Sequence, residues 1–396
     1  MRLSMFTSIP ILEDDFYRYL WDGAVTAHGI NPYAYSPEQI RQATETHGSG
    51  EIPPELLKLA QVPGSTLKNI NHAYVRSIYP PLTQAAFALA YRLTPWKMDG
   101  WRLVLLVIDL INLSLLLILL KQVNLSPLAA AIYWLNPLLV KEIFNSGHMD
   151  ILIFPFLLGA FYFLLHRKYY PAIVLLAGAV GVKLWPLLLL PLFLRPVLPN
   201  FRKITGLLVL FSSLTVLLLF PMLYTGLDAN SGLGAYSQRW ELNDAAFRLL
   251  VFGWQPLLKL IGIHPGYSQI YARTTTAILL LGWTALMSNN SPGNRIEFFN
   301  RAQLIIAAIF LLSPTQFPWY AVWLLPILTF VPYRSLLLLT ALLPLYYLWH
   351  YLQARGMVNM FHYGIVWIEF FPVWVLLALE IRRGKGNLIS TQQKGV

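Results

Sequence analysis

The sequence predicts an all-α, polytopic membrane protein, and three observations predict it. Of its 396 residues, 57% are apolar and only 12% charged, with a mean hydropathy of +0.55; a soluble domain carries about 25% charged residues. Long apolar runs recur from Trp101 onward, separated by short joints. The basic residues fall mainly in those joints, where positive-inside topology puts them. The net charge of +11, from 29 basic and 18 acidic residues, therefore reads as membrane orientation, and no nucleic-acid partner is expected. The absence of cysteine excludes disulfides, thiolate catalysis and Cys-based metal sites. Thirteen Trp and 21 Tyr suit interfacial belts, with some left to line a groove for sugar or lipid.

Met1 to Leu12 lacks the long apolar core and small-residue cleavage site of a signal peptide. Phe16 to His28 reads as a short amphipathic helix, stopped by Gly29. Residues 36–75 read as a polar loop containing Pro37, Pro53, Pro54 and Pro63. A short apolar helix follows, from about Leu82 to Leu93, well under the ~20 residues of a span. Spans are expected near 103–121, 126–143, 148–165, 169–182, 184–194, 204–223, 268–287, 302–314, 318–332, 335–353 and 363–381. The runs 169–194 and 302–332 are broken at Lys183 and at SPTQFPWY, and such breaks survive at membrane depth only where they line a cavity or pack on protein.

Two domains follow from this pattern. Residues 1–100 read as a first loop outside the membrane, with juxtamembrane helices; residues 101–396 read as a helical membrane domain of about 11 spans, with an outer loop at 224–267. A C-terminal tail holding Arg382, Arg383, Lys385 and Lys394 is expected in the cytoplasm. That orientation gathers EDDFYRYLWDG, NSGHMD, Lys183, YSQRWELND and SPTQFPWY on the outer face.

The densest acidic cluster is Glu13, Asp14 and Asp15. One carboxylate of the adjacent Asp pair could take a proton from an acceptor hydroxyl, because neighbouring acids raise each other's pKa. Equally, acids ahead of a helix satisfy its free N–H groups, and Glu13 reads as a cap or solvent-facing acid. NSGHMD places His148 and Asp150 between two spans. His148 could donate to a phosphate or serve structurally, and Asp150 could cap the next helix. Lys183 interrupts an apolar run; it could neutralise a phosphate or snorkel to the interface. Arg239, Trp240 and Asn243 form a polar, aromatic patch, and Trp319 and Tyr320 read as interfacial packing. Metal binding by Asp14, Asp15, His148 and Asp150 is chemically possible, but no spacing is diagnostic of it, and neither metal nor cofactor is expected.

The run DDFYRYLWDGAVTAHGINPYAYSP resembles the signature of bacterial GT-C-fold glycosyltransferases that use polyprenyl-phosphate-mannose. YPPLTQ, LNPLLVKEIFNSGHMD, GVKLWPLLLLP, RWELND and SPTQFPWYAVWLLP fit the same family in the same order. The resemblance implies a GT-C membrane enzyme in the plasma or inner membrane, with its site outside the cytoplasm. It would move a hexose, mannose first, from a polyprenyl-phosphate donor to a glycan or glycolipid acceptor, with inversion. It assigns the base to Asp15 before Asp14, and makes Arg18, Tyr19, Asp22, Tyr79, His148, Asp150, Lys183, Arg239, Trp240, Asn243, Trp319 and Tyr320 candidates for substrate contact. The family often has a His just before the Pro of its PWY block, where this chain has Phe317. A transporter or flippase of lipid-linked sugar is the alternative, and a catalytically dead assembly partner a third reading. Eleven spans and a cytoplasmic tail place residues 1–100 outside, yet no span precedes the acids. A missing N-terminal span is therefore expected. The rival is a membrane-crossing helix at 82–93, which would separate the acids from His148.

Overall fold

The computed structural model describes residues 1–46, 52–61 and 66–392, without side chains from 384 onward. Pro63, Lys394 and the side chain of Lys385 thus lie outside the described residues. Among those residues the regular structure is all helical, with one isolated bridge between Leu242 and Thr315. Five helices are long and apolar enough to cross a membrane: Met98–Gln122, Phe201–Tyr224, Pro265–Met287, Arg334–Ala354 and Val358–Arg383. A sixth candidate, Pro137–Asn145 with Asp150–Leu165, is bent by 103°. This is an all-α membrane protein.

Several of the expected eleven spans are instead short or broken helices. The stretch 126–143 divides into turns at Pro127–Ala130 and Ala131–Trp134, followed by the wide turn Val140–Asn145. The stretch 184–194 divides into Trp185–Leu189 and Leu190–Leu194. Pro127, Pro137, Pro186 and Pro191 explain these breaks, since proline removes a helix donor and clashes with the preceding turn.

The chain forms two compact units. The first comprises Met1–Gln122 and Leu139–Trp240. Its first helix, α1, covers Asp15–Ala27 and ends where Gly29 adopts φ 74°, a left-handed stop open to glycine. The 36–75 segment is not the expected plain loop: it holds α2 (Pro37–Glu45) and α3 (Pro54–Ala60). A capping box starts α2, with Gln39 N–H donating to Ser36 Oγ and Ser36 N–H donating to Gln39 Oε1. Ile40, Ala43, Leu56 and Leu59 pack with Trp21 and Val25 of α1 into one apolar cluster.

Helix α4 (Pro81–Leu93) packs along α1. The two approach so closely at Gly23 that a Cβ there would lie 2.5 Å from the Phe87 carbonyl. At 13 residues α4 reaches only about 20 Å, and it is not among the five spanning helices. Helix α5 (Met98–Gln122) follows and packs on α4. Its Asp109, fully buried near mid-helix, pairs with Arg2. Arg102 donates to the carbonyls of Phe6 and Ser8, which ties residues 2–8 to α5. Helices α6 (Phe154–Leu165), α7 (Tyr169–Val182) and α8 (Phe201–Tyr224) pack in sequence, and α9 (Gly232–Arg239) completes the unit.

The second unit comprises Val123–Leu138 and Glu241–Val396. It contains α10 (Ala245–Leu260), inside the stretch expected as an outer loop. Phe247, Leu250, Val251 and Trp254 sit on one face of α10 and pack with Ala272. The span expected at 268–287 is the helix Ser268–Met287, and the break expected at SPTQFPWY separates Arg295–Leu312 from Pro318–Leu324.

Candidate active site

The acid motif opens α1. Asp14 occupies the N-cap position, but its side chain makes no cap hydrogen bond. Instead the Asn71 amide donates to both acids, 2.5 Å to Asp14 Oδ1 and 2.9 Å to Asp15 Oδ1. Capping therefore does not account for the pair.

A wide turn delivers His148 to these acids. Residues Val140–Asn145 form a π-helical turn, a distortion common at functional sites. Gly147 then takes φ 84°, and its carbonyl accepts from Trp101 Nε1. His148 N–H closes the loop onto the Glu142 carbonyl at 3.0 Å. The imidazole is fully buried, with Nδ1 3.3 Å from Tyr19 Oη and 4.0 Å from Asp15 Oδ2. Its Nε2 lies 3.6 Å from Glu142 and 3.8 Å from Glu13. Glu13, expected as a cap or solvent-facing acid, is thus drawn in against His148, with its side chain only 8% exposed.

Lys183 closes the corner. The backbone turns extended at the end of α7, and Thr83 Oγ1 donates to the Val182 carbonyl at 2.9 Å. The ammonium does not snorkel; it lies 2.5 Å from the buried Asp150 carboxylate. Asp150 begins a short helix, but its carboxylate serves Lys183. The result is a carboxylate, an imidazole and an ammonium close enough in the first unit for their charges to interact. Burial pushes the Asp15 carboxyl above its ordinary value. The Asn71 hydrogen bond and His72 oppose that rise, while the charges of Asp14 and Asp150 add to it. Asp15 nonetheless keeps 24% of its side-chain surface exposed, so a substrate can reach it.

The other expected site residues lie in the following surroundings. Asp22 accepts from Arg18 Nε at 3.0 Å, from Ser77 Oγ, and from Gln84 Nε2 at 3.0 Å. Arg18 also donates to the Val75 carbonyl. This buried network holds α1 to the 75–84 segment. Tyr79 presents its ring to Tyr19 and Phe87, and its carbonyl accepts from Tyr33 Oη. Arg239 is exposed at the end of α9, and Trp240 packs 4.6 Å from the His72 ring.

Asn243, Trp319 and Tyr320 belong to the second unit. Asn243 is buried, with φ 57°, and donates to the Gln316 carbonyl. An isolated β-bridge joins the adjacent Leu242 to Thr315, so Leu242 and Asn243 are pinned to the SPTQF segment. Trp319 stacks near Phe317, and Tyr320 near Trp323. Among the described residues no group of three His, Asp or Glu side chains is arranged to hold a metal ion.

Comparison of the chain with protein-family models, curated proteins and solved structures returns no match. The site must therefore be read from its own geometry. Sequence reasoning missed Asn71, and it missed the burial of Glu13 and Glu142. Asn71 lies in a polar stretch with no periodic signal; only its hydrogen bonds mark it.

Proposed function

We propose that this chain is a membrane glycosyltransferase of GT-C type, using a polyprenyl-phosphate-linked hexose, mannose first, as donor. The observation that carries the reading is the convergence of Asp15, His148 and the Lys183–Asp150 pair within one unit. A glycosyl transfer needs a base at the acceptor and positive charge at the leaving phosphate, and this corner holds both. Asp15 Oδ2 takes the proton of the acceptor hydroxyl. The acceptor oxygen forms its bond to the anomeric carbon from one face. The bond to the phosphate oxygen breaks on the other, its electron pair leaving with the phosphate, and the configuration inverts. Lys183, steered by Asp150, neutralises that phosphate. His148 lies beside Asp15, and the Asn71 amide holds the other Asp15 oxygen. The spanning helices supply a lipid-facing path for the polyprenyl chain, and the corner lies on the extracytoplasmic side.

The test is incubation of the purified chain in lipid vesicles with labelled polyprenyl-phosphate-mannose and a panel of glycan and glycolipid acceptors. Label transferred to an acceptor with inverted linkage supports the reading. Label that crosses the bilayer without transfer supports the transporter alternative, and neither outcome leaves an assembly partner.

A further inference from the structure

The geometry points to Asn71 as a positioning residue that decides which oxygen of Asp15 receives the proton. This inference rests on Asp15 acting as the base. A side-chain amide has two N–H bonds on one nitrogen, and Asn71 aims them at two different carboxylates, Asp14 Oδ1 and Asp15 Oδ1. The reverse orientation would set a carbonyl oxygen against two acids, so the acceptors themselves fix which way the amide faces. With Oδ1 engaged, Asp15 Oδ2 is the oxygen turned toward His148, at 4.0 Å from Nδ1. The amide also sits between adjacent like charges, which would otherwise push one carboxylate to keep its proton.

The backbone explains why Asn71 can hold this post. The next residue, His72, adopts φ 45°, a left-handed conformation that non-glycine residues hold only where the surroundings enforce it. Here two contacts enforce it: the His72 ring lies 4.6 Å from Trp240, and the His72 carbonyl accepts from Val75 N–H. The strained turn swings Asn71 over the N-terminus of α1. Trp240, a candidate substrate residue from sequence, thereby braces the residue that aims the acids.

The charged and titratable groups around Asp15 are Asp14, Glu13, His72, His148, Asp150, Lys183, Tyr19 and Tyr79. Asn71 is a donor to Asp15 that never changes its own charge, so its removal acts in one direction on the acid's ionisation.

The experiment compares wild type, Asn71→Ala and the near-isosteric Asn71→Asp in the full chain in lipid nanodiscs, with two readouts. The first is the pH profile of transfer from polyprenyl-phosphate-mannose. The expected result for Asn71→Ala is a loss of about tenfold in kcat with unchanged acceptor KM, and an acid limb moved to higher pH; Asn71→Asp should move the limb further. The second needs no substrate. The infrared band of the protonated Asp15 carboxyl, assigned by its loss in Asp15→Asn, is titrated in all three proteins, and it should persist to higher pH in both variants. A moved band with no transfer even in wild type would sink the enzyme reading, and with it the catalytic meaning of the inference, while leaving Asn71's hold on the ionisation of Asp15. An unmoved band and an unmoved limb would overturn the proposal, and a lowered Tm alone would mark Asn71 as merely structural. Should Asn71→Ala fail to fold, Asn71→Asp separates the same outcomes by the same two readouts.

Discussion

Replacing Asp15 by Asn is the cleanest strike at the proposed chemistry. The substitution keeps shape and keeps the acceptor that Asn71 uses at Oδ1. What it removes is the carboxylate Oδ2 that faces His148, the oxygen proposed to take the proton. A general base contributes about 10²- to 10⁴-fold, roughly 3–5 kcal/mol of barrier at 1.36 kcal/mol per tenfold. Stability should respond differently. Asp15 binds its proton more tightly in the folded chain, since burial raises its pKa. Its ionisation then opposes folding as pH rises through that folded value. Asparagine removes the opposition, so the Tm at pH 7 holds or rises slightly. The assay is steady-state transfer from polyprenyl-phosphate-mannose beside a thermal melt, each across pH. Wild-type activity should fall as pH drops through a value above the ordinary 3.8 of an aspartate, because protonated Asp15 cannot act as base. The variant should lack that limb. Turnover near that of wild type would refute the base assignment, and a large drop in Tm would recast Asp15 as structural.

Lys183→Ala strips the buried Asp150 of its ion pair, at a cost of about 3–5 kcal/mol; a melt should show it. The double variant Lys183→Met/Asp150→Asn should recover much of that stability and stay inactive. Gly23→Ala forces a methyl against the Phe87 backbone carbonyl, and should cost about 1–3 kcal/mol by prising α1 from α4. If Lys183 neutralises the phosphate as proposed, transfer should be unchanged by EDTA. Activity lost in EDTA and restored by Mn²⁺ or Mg²⁺ would make Asp14, Asp15 and Asp150 ligands instead.

How much of this was legible in the sequence depends on the range of the interaction. Helix α1 was legible because its stop, Gly29, and its apolar face are local signals. The Ser268–Met287 span was legible from one continuous apolar run. Helix α2 was missed although SPEQ spells a capping box; three prolines nearby made the segment look like loop. Helix α10 was missed because Pro256 lies inside it, yet Phe247, Leu250, Val251 and Trp254 already carried helical spacing. The corner itself was harder. Glu13 becomes buried only because Arg2, Arg102 and Asn145 fold residues 2–11 onto α5 and the π-helical turn. Asn71 reaches Asp15 across 56 residues, and no periodicity encodes such a contact.

If the chain releases a phosphate, some group must neutralise it. The position where the resembling family often carries a His is Phe317, whose ring stacks 4.4 Å from Trp319. Its neighbour Gln316 cannot substitute. The Gln316 amide donates to the carbonyls of Phe310 and Leu311 at the end of the Arg295–Leu312 helix, and its own backbone carbonyl accepts from Asn243. These bonds satisfy carbonyls that a helix end leaves open, so the SPTQF break is a built joint. Arg18 is buried, its side chain 9% exposed, and donates to both Asp22 and the Val75 carbonyl, and Arg248 belongs to the second unit. Lys183 is different in kind. It is a cation at a helix break, paired with an acid, within the unit that also holds Asp15. An ion pair in a low-dielectric corner gives the ammonium a fixed position, and a group with three N–H donors can serve an acid and a phosphate together. If this chain transfers a sugar from a phosphate, the charge that receives the leaving group is the one Asp150 already aims.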